Sequence, residues 1–295
     1  MTQGEIASRP FWAARNWSAD AGAGSIHDDG TATRLGFRGG TVAGNIHMDQ
    51  CAALLVEEYG KRWFEDGALS MYFQNATTDG ERVQALCEVP REQQPVRVWV
   101  RREDDLAVAE GTASVGDHSA SALRTRDLRA TAPERLRILR GLAAGQSLGE
   151  WHETLTGEKQ LARYAAGAIS DPLRWYGEAS PWGGPVATPS TAVELLWGVP
   201  MRGLEGSLGE AVGLFGAIEV AHHAGPLLLG ERYRVTAEVV ALSESPRTES
   251  LWFDSFAYRG DALVASHRMM LRFMKASSPL YDDVDLDGAG GGGRS

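Results

Sequence analysis

The sequence has few of the residues that mark several common classes of protein. Among its 295 residues only Cys51 and Cys87 are cysteines, and they form no CxxC pair, so we expect neither a disulfide framework nor a cysteine metal site. No apolar run approaches the ~18 residues of a membrane-spanning helix. The N-terminus lacks the continuous apolar core of a secretory signal. We therefore expect a cytoplasmic protein that does not interact with membranes.

Positive charge is also scarce. The chain has 29 Lys and Arg against 39 Asp and Glu, a formal net charge of −10, which argues against nucleic acid as a partner. The glycine-rich stretches match neither a Walker nor a dinucleotide-binding pattern, and no His, Cys or Asp spacing resembles a metal site, so no cofactor and no metal are expected. Hydrophobic residues make up 43% of the chain, enough for a sizeable core.

Two phrases occur twice in the chain, in the same order and with nearly the same spacing. "GGTVAG" (39–44) returns as "GGPVAT" (183–188), and "DGERVQALCEV" (79–89) returns as "LGERYRVTAEV" (229–239). Ordered self-similarity of this kind is the signature of a repeated structural unit. We therefore predict a tandem duplication.

The duplication divides the chain into two similar domains. We predict an N-terminal domain over 1–125 and a C-terminal domain over 156–281. Between them, "APERLRILRGLAAG" (132–145) predicts a linking helix that begins near Pro133, within a linker over 126–155. The glycine-rich residues at the end of 282–295 predict a flexible tail.

Each half predicts one long helix followed by four antiparallel strands. Helical spacing of apolar residues covers 45–59 and 190–197. The predicted strands are 68–75, 82–89, 95–101, 106–115, 212–221, 232–242, 249–258 and 263–274. A largely apolar helix must be wrapped by another layer, and a curved sheet does this economically. The expected fold is α+β, a tandem or double hotdog, whose two sheets could pair edge to edge.

The stretch "GSIHDDGTATRLGFRGGTVAG" (24–44) resembles the MaoC-like, R-specific enoyl-thioester hydratases and dehydratases. His27 stands at the family's histidine, and Gly44 stands at the glycine that ends the turn into the hotdog helix. The family's catalytic Asp lies five residues before its His, where this chain has Gly22, and the nearest acid is Asp20. In the second half Arg174 occupies the histidine position, so neither half has the complete Asp/His pair.

The resemblance implies addition or removal of water on an acyl thioester carried by CoA or by an acyl carrier protein. It implies that His27 and Asp20 are the catalytic acid and base. The Gly44 N–H, at the start of a helix, would stabilise negative charge on the thioester oxygen. Asp29 is expected to cap a short helix instead.

Two other hypotheses remain open from the residues themselves. The helix sequence "NIHMD" supplies Asn45, His47 and Asp49 as candidate substrate-binding residues, and Glu194 is the corresponding acid in the second half. An acid on this helix could activate water in a double-hotdog thioesterase. The chain could instead be a non-catalytic or repurposed acyl-thioester-binding protein. Since it already contains two hotdog units, it could act alone or as a homodimer.

Overall fold

The computed structural model describes residues 5–19, 22, 24–91 and 95–286. The first half contains the helices α1 (Asp29–Arg34), α2 (Gly44–Tyr59) and α3 (Arg62–Asp66). Its strands are β1 (Ile6–Ser8), β2 (Trp12–Ala13), β3 (Gly67–Phe73), β4 (Arg82–Glu88), β5 (Val96–Arg102) and β6 (Ala107–Val115).

The second half contains the helices α4 (Glu158–Ala165) and α5 (Pro189–Leu204). Its strands are β7 (Ser147–Thr154), β8 (Gly213–His222), β9 (Arg232–Glu244), β10 (Thr248–Arg259) and β11 (Ala262–Met274). All eight predicted strands are confirmed to within two residues at either end. The second helix is longer than predicted and continues through Pro200 to Leu204.

All strands belong to one antiparallel sheet, in the order β1-β4-β5-β6-β3-β8-β11-β10-β9-β7, with β2 beside β4. The first-half strands lie on one side of the β3–β8 pair and the second-half strands on the other. This pair runs from Ala68 opposite Ala221 to Tyr72 opposite Ala217. The two sheets therefore join edge to edge, as expected, and neither inner edge is left open.

The two glycine-rich turns make equivalent hydrogen bonds when the phrases are shifted by one residue, so that Val42 and Gly44 match Ala187 and Pro189. Val42 N donates to Thr77 O, and Ala187 N donates to Leu227 O, each at 2.8 Å. Gly80 and Gly230 lie just before the equivalent strands β4 and β9, and both have positive φ, which favours glycine. The structure is therefore a tandem repeat of one unit.

The core lies between the sheet and the helices α2 and α5. Residues 45–55 of α2 are all buried, because the sheet wraps one side of this helix and α5 packs on the other. Fully buried aliphatic side chains such as Met48 and Leu55 each contribute about 1.5–3 kcal/mol. α2 ends at Gly60, whose φ is 62°.

The predicted linking helix over 132–145 is wrong. The segment holds one 3-10 turn, Pro133–Arg135, followed by extended and turn residues. Its backbone N–H groups are occupied: Arg137 N and Ile138 N donate to Glu249 Oε1 at 2.8 and 3.1 Å, and Leu139 N donates to Glu249 Oε2 at 2.9 Å. A buried carboxylate on β10 thus takes the donors that a helix would have used.

The predicted linker and tail can also be compared with the observed elements. Strand β7 falls inside the predicted linker 126–155 and pairs with β9, just as β1 pairs with β4. Most of the predicted tail, 287–295, lies outside the described residues, and the domain division itself stays a prediction. No helix in the described ranges has both the length and the apolar content needed to cross a membrane.

Candidate functional site

The N-terminus of α2 lies at the end of the "GGTVAG" turn. Thr41 forms an isolated bridge with Thr78, which holds the turn against the segment after β3. Ala43 occupies the N-cap position, and no side chain caps the helix. Ile46 N donates to Ala43 O at 3.0 Å, and within the described chain no hydrogen bond engages the N–H groups of Gly44 and Asn45. These two groups keep their hydrogen-bonding capacity at the positive end of the helix dipole.

His27 is anchored to this same turn. Its Nδ1 lies 2.7 Å from the carbonyl oxygen of Thr41, so Nδ1 carries the proton and Nε2 carries a lone pair. Within the described part of the chain, no group hydrogen-bonds Nε2. Burial lowers the pKa of His27, and the Thr41 hydrogen bond opposes this effect. His27 is therefore a neutral imidazole at pH 7, with Nε2 available as a base.

Two aspartates hold the loop that carries His27. Asp28 is the N-cap of α1 and accepts from Thr31 N at 2.8 Å. Asp29 was expected to be the cap, but its Oδ1 accepts from Gly40 N at 2.6 Å instead. Gly40 itself packs against the His27 carbonyl, since a Cβ there would lie 2.3 Å from that oxygen. These contacts fix the position of His27 relative to the turn.

Asp20, the proposed partner of His27, lies outside the described residues and stays a prediction. Four residues earlier in the chain, the Asn16 side chain donates to His27 O at 2.9 Å.

Phe73 lies directly beside Gly44. A Cβ at position 44 would approach its ring to 2.8 Å, so only glycine fits between this ring and the helix. No local pattern in the sequence indicates this contact, because Phe73 lies on strand β3, beyond the helix. The apolar ring forms a wall beside the uncapped end of α2.

A cleft of about 230 Å³ opens next to this turn. Residues 36–39 and Thr41 line one side, and residues 74–76, Thr78 and Leu106 line the other. Its volume is slightly below the ~300 Å³ at which ligand pockets usually begin. Because the Thr41 carbonyl binds the His27 ring, the cleft and the histidine share one backbone segment.

Asn45 and His47 are buried in the first turns of α2. Asn45 Nδ2 donates to Ser190 O at 3.5 Å, and its Oδ1 has no partner among the described residues. His47 Nε2 lies 2.8 Å from Thr77 Oγ1, and burial lowers the pKa of His47 to about 4. His47 is therefore neutral and bridges the helix to the segment that lines the cleft.

Asp49 lies between the two central helices. Its Oδ1 accepts from Ser190 N at 2.7 Å and its Oδ2 accepts from Ser190 Oγ at 2.6 Å, at the second residue of α5. Burial raises the pKa of Asp49 to about 7, although the Ser190 hydrogen bonds oppose this shift. The carboxyl group of the first half thus occupies the N-terminus of the second-half helix. No local pattern in the sequence indicates Ser190, because this partner of Asp49 lies in the other half of the chain.

Glu194 is the counterpart of Asp49, since each is the sixth residue of its helix. The environment of Glu194 differs, however, because this side chain is partly exposed. Its Oε1 lies 3.6 Å from Arg163 Nη2, and the Arg163 guanidinium also stacks over Trp17. Glu194 therefore leaves the N-terminus of α2 uncapped, whereas Asp49 fills that of α5. In the second half Arg174 is exposed and Ile169 is buried. Among the described residues, only the first half combines an uncapped central helix with a histidine hydrogen-bonded to the turn before it.

Comparison with solved structures identifies the fold. A protein named as a MaoC domain protein dehydratase from Chloroflexus aurantiacus matches at 11% identity and a TM-score of 0.62, over 93% of this chain and 96% of its own. A conserved hypothetical protein from Mycobacterium tuberculosis, with a double hotdog fold, matches at 11% identity and 0.62, over 93% and 97%. A MaoC-like dehydratase matches at 12% and 0.53, over 92% and 98%. At these identities the likeness shows the fold, which is a double hotdog.

No family model matches the chain, and no curated protein matches it.

Proposed function

We propose that this double hotdog protein is a hydratase or dehydratase that adds or removes water on an acyl thioester carried by CoA or an acyl carrier protein. One observation carries the proposal: His27 has a neutral Nε2 and is hydrogen-bonded, through Nδ1 and Thr41 O, to the turn that leads into the uncapped N-terminus of α2. Hydration of an enoyl thioester needs a base for water and a donor for the thioester oxygen, and these two groups supply both.

The chemistry follows from these groups. The thioester carbonyl oxygen accepts from the Gly44 N–H, next to the Phe73 ring, and the helix dipole stabilises the negative charge that develops there. His27 Nε2 removes a proton from water as the water oxygen bonds to Cβ. The proton taken by His27 is then delivered to Cα, directly or through Asp20, which completes the addition of one water. Dehydration is the same path in reverse.

The thioesterase hypothesis has less support from the geometry. Both oxygens of Asp49 are engaged by Ser190 and the side chain is buried, so it is not placed to activate water. Glu194 is more accessible, but it faces Arg163. We place the protein in the cytoplasm, acting alone or as a homodimer.

Crotonyl-CoA distinguishes these hypotheses when loss of the enoyl absorbance and release of free thiol are followed together. We expect the absorbance to fall without thiol release. His27→Ala should reduce kcat/KM by about 10²–10⁴-fold, the usual contribution of a general base. His152→Ala, which changes an exposed histidine on β7, is the control and should leave kcat/KM unchanged. Hydration at the wild-type rate by His27→Ala would show that the site is wrongly assigned.

The other outcomes identify the other functions. Thiol release with the enoyl group intact would favour a thioesterase. Binding of the thioester with neither reaction would favour a non-catalytic protein. The pH profile gives a second readout: because His27 must be neutral and its pKa is lowered, the acid limb of kcat/KM should have its midpoint below the ordinary histidine value of about 6.5. A midpoint at or above that value contradicts a role for His27 as the base.

A further inference from the structure

A second cleft lies on the face of the sheet opposite the central helices. Its volume is about 420 Å³, within the range of ~300–1,000 Å³ typical of small-molecule sites. The segment after β6 crosses this face and forms one wall. The cleft is lined by His118, Ser119, Arg124, Glu219, Ala221, His223, Phe256, Leu263 and Ser266. None of these residues belongs to the site proposed above.

Ion pairs and hydrogen bonds hold the walls of this second cleft, which we call the outer cleft. Arg124 Nε donates to Glu219 at 2.7 Å and Arg124 Nη1 donates to Asp254 at 2.9 Å. Arg268 also pairs with Asp254 at 2.8 Å, and the Ser121 hydroxyl donates to Glu219. The buried carboxylates are thus matched by two guanidinium groups, and the cluster carries no net charge when its histidines are neutral.

Two polar groups on the cleft wall are not used by this network. In the described chain, nothing accepts from Arg124 Nη2, and His223 Nδ1 has no partner. Ser266 Oγ lies 2.8 Å from His223 Nε2. When this hydroxyl donates to Nε2, the imidazole proton lies on Nδ1. Arg124 and His223 then both have a donor available for an acceptor group in the cleft.

The remaining wall is apolar. Phe256 from β10, Leu263 from β11 and Ala221 from β8 contribute it. The His118 ring contacts the His223 ring edge to face, with centroids 5.8 Å apart, and both nitrogens of His118 are engaged, by Ser114 Oγ and His222 O. The polar donors therefore stand at one side of a small hydrophobic surface.

We propose that the outer cleft binds a small organic carboxylate with an apolar body. The carboxylate accepts from Arg124 Nη2 and His223 Nδ1, and charge-assisted hydrogen bonds of this type are the stronger ones. The apolar body packs on Phe256 and Leu263 and loses its contact with water. The site does not depend on the thioester chemistry, because it lies on the other face of the sheet.

Benzoate is a suitable probe, with benzamide as its uncharged counterpart and inorganic phosphate as an anion without an apolar body. Titration calorimetry of the full chain should give a dissociation constant for benzoate of about 1 mM or tighter, which is within reach of a ligand of this size. Benzamide and phosphate should each bind at least about tenfold more weakly, since each lacks one of the two interactions.

Two variants test the location. His223→Ala removes a donor, and Leu263→Trp fills the cleft without changing its polar groups; each should weaken benzoate binding at least about tenfold. Leu161→Trp, at an exposed position on α4, is the matched control and should bind like the wild type. No binding of benzoate up to 10 mM, or unchanged binding by both variants, overturns the proposal. Equal binding of phosphate and benzoate overturns the role of the apolar body.

Discussion

At the scale of single residues, Asp49 shows how burial changes the chemistry of a carboxyl group. Burial disfavours the ionised form, whereas the Ser190 N–H and hydroxyl and the N-terminus of α5 favour it. Burial has the larger effect, and the pKa rises to about 7. Asp49 therefore acts as a buried link between the two halves, with a cost in stability at high pH.

The direction in which the free energy of unfolding changes with pH can be tested. An unfolded Asp titrates near pH 3.9, so between about pH 4 and pH 7 the native state holds a proton that the unfolded state has lost. The free energy of unfolding should consequently fall as pH rises through this window. Asp49→Asn removes the titration, so its stability relative to wild type should increase by about 2–4 kcal/mol between pH 4 and pH 8.

Urea unfolding at several pH values measures this difference. Asp261→Asn, at an exposed position in the turn before β11, is the control. A difference between Asp49→Asn and wild type that does not vary with pH would show that Asp49 does not titrate in this window.

At the scale of elements, the start of α2 depends on close packing between Gly44 and Phe73. An alanine Cβ would meet the ring at 2.8 Å, so Gly44→Ala should destabilise the protein by about 1–3 kcal/mol. A Cβ added at Gly198, inside α5, would have open space around it. Gly198→Ala should therefore stabilise the protein by up to about 1 kcal/mol. Chemical denaturation compares the two variants. Adding Phe73→Leu to Gly44→Ala should recover part of the loss, and no recovery would mean that the strain lies elsewhere.

Glu249 determines the path of the segment between the halves. Three backbone N–H groups and the Tyr281 hydroxyl donate to its carboxylate. Glu249→Ala leaves these buried donors without an acceptor, and we expect a loss of about 3 kcal/mol or more in the free energy of unfolding. Glu134→Ala, at an exposed position in the same segment, is the control. If Glu249→Ala does not fold, Tyr281→Phe removes one donor and should cost about 1 kcal/mol. Equal stability of the Glu249 and Glu134 variants contradicts this role.

At the scale of the whole molecule, the two halves share one structure. β3 and β8 join their sheets, α2 packs on α5, and one hydrophobic cluster contains buried residues of both halves. We therefore expect a single unfolding transition. Urea curves followed by far-ultraviolet circular dichroism and by tryptophan fluorescence should coincide, because Trp63 and Trp197 report on different halves. Two separate transitions would mean that the halves fold independently.

Much of the architecture was predictable from local patterns. Alternation of apolar residues located strands such as β5 and β9, in which buried and more exposed positions alternate. The repeated glycines were informative because positive φ at Gly80 and Gly230 marks the same turn in each half. The helix predicted over 132–145 was wrong because its backbone donors bind Glu249, a residue more than a hundred positions away.

The candidate site was predictable only in part. His27 was identified from its motif, but its tautomer depends on the Thr41 carbonyl, and this contact exists only in the folded chain. The sequence also could not distinguish Asp49 from Glu194, which hold the same position in equivalent helices. Their environments differ: Ser190 contacts Asp49, whereas Arg163 contacts Glu194.

The sequence by itself determined the repeated unit and its secondary structure, because the spacing of apolar residues and glycines is a local property of the chain. The tertiary structure alone decided which helix N-terminus is filled, which carboxyl group is buried and which imidazole nitrogen is available. These features depend on contacts between residues far apart in sequence, and on burial, which alters the energy of charges and hydrogen bonds.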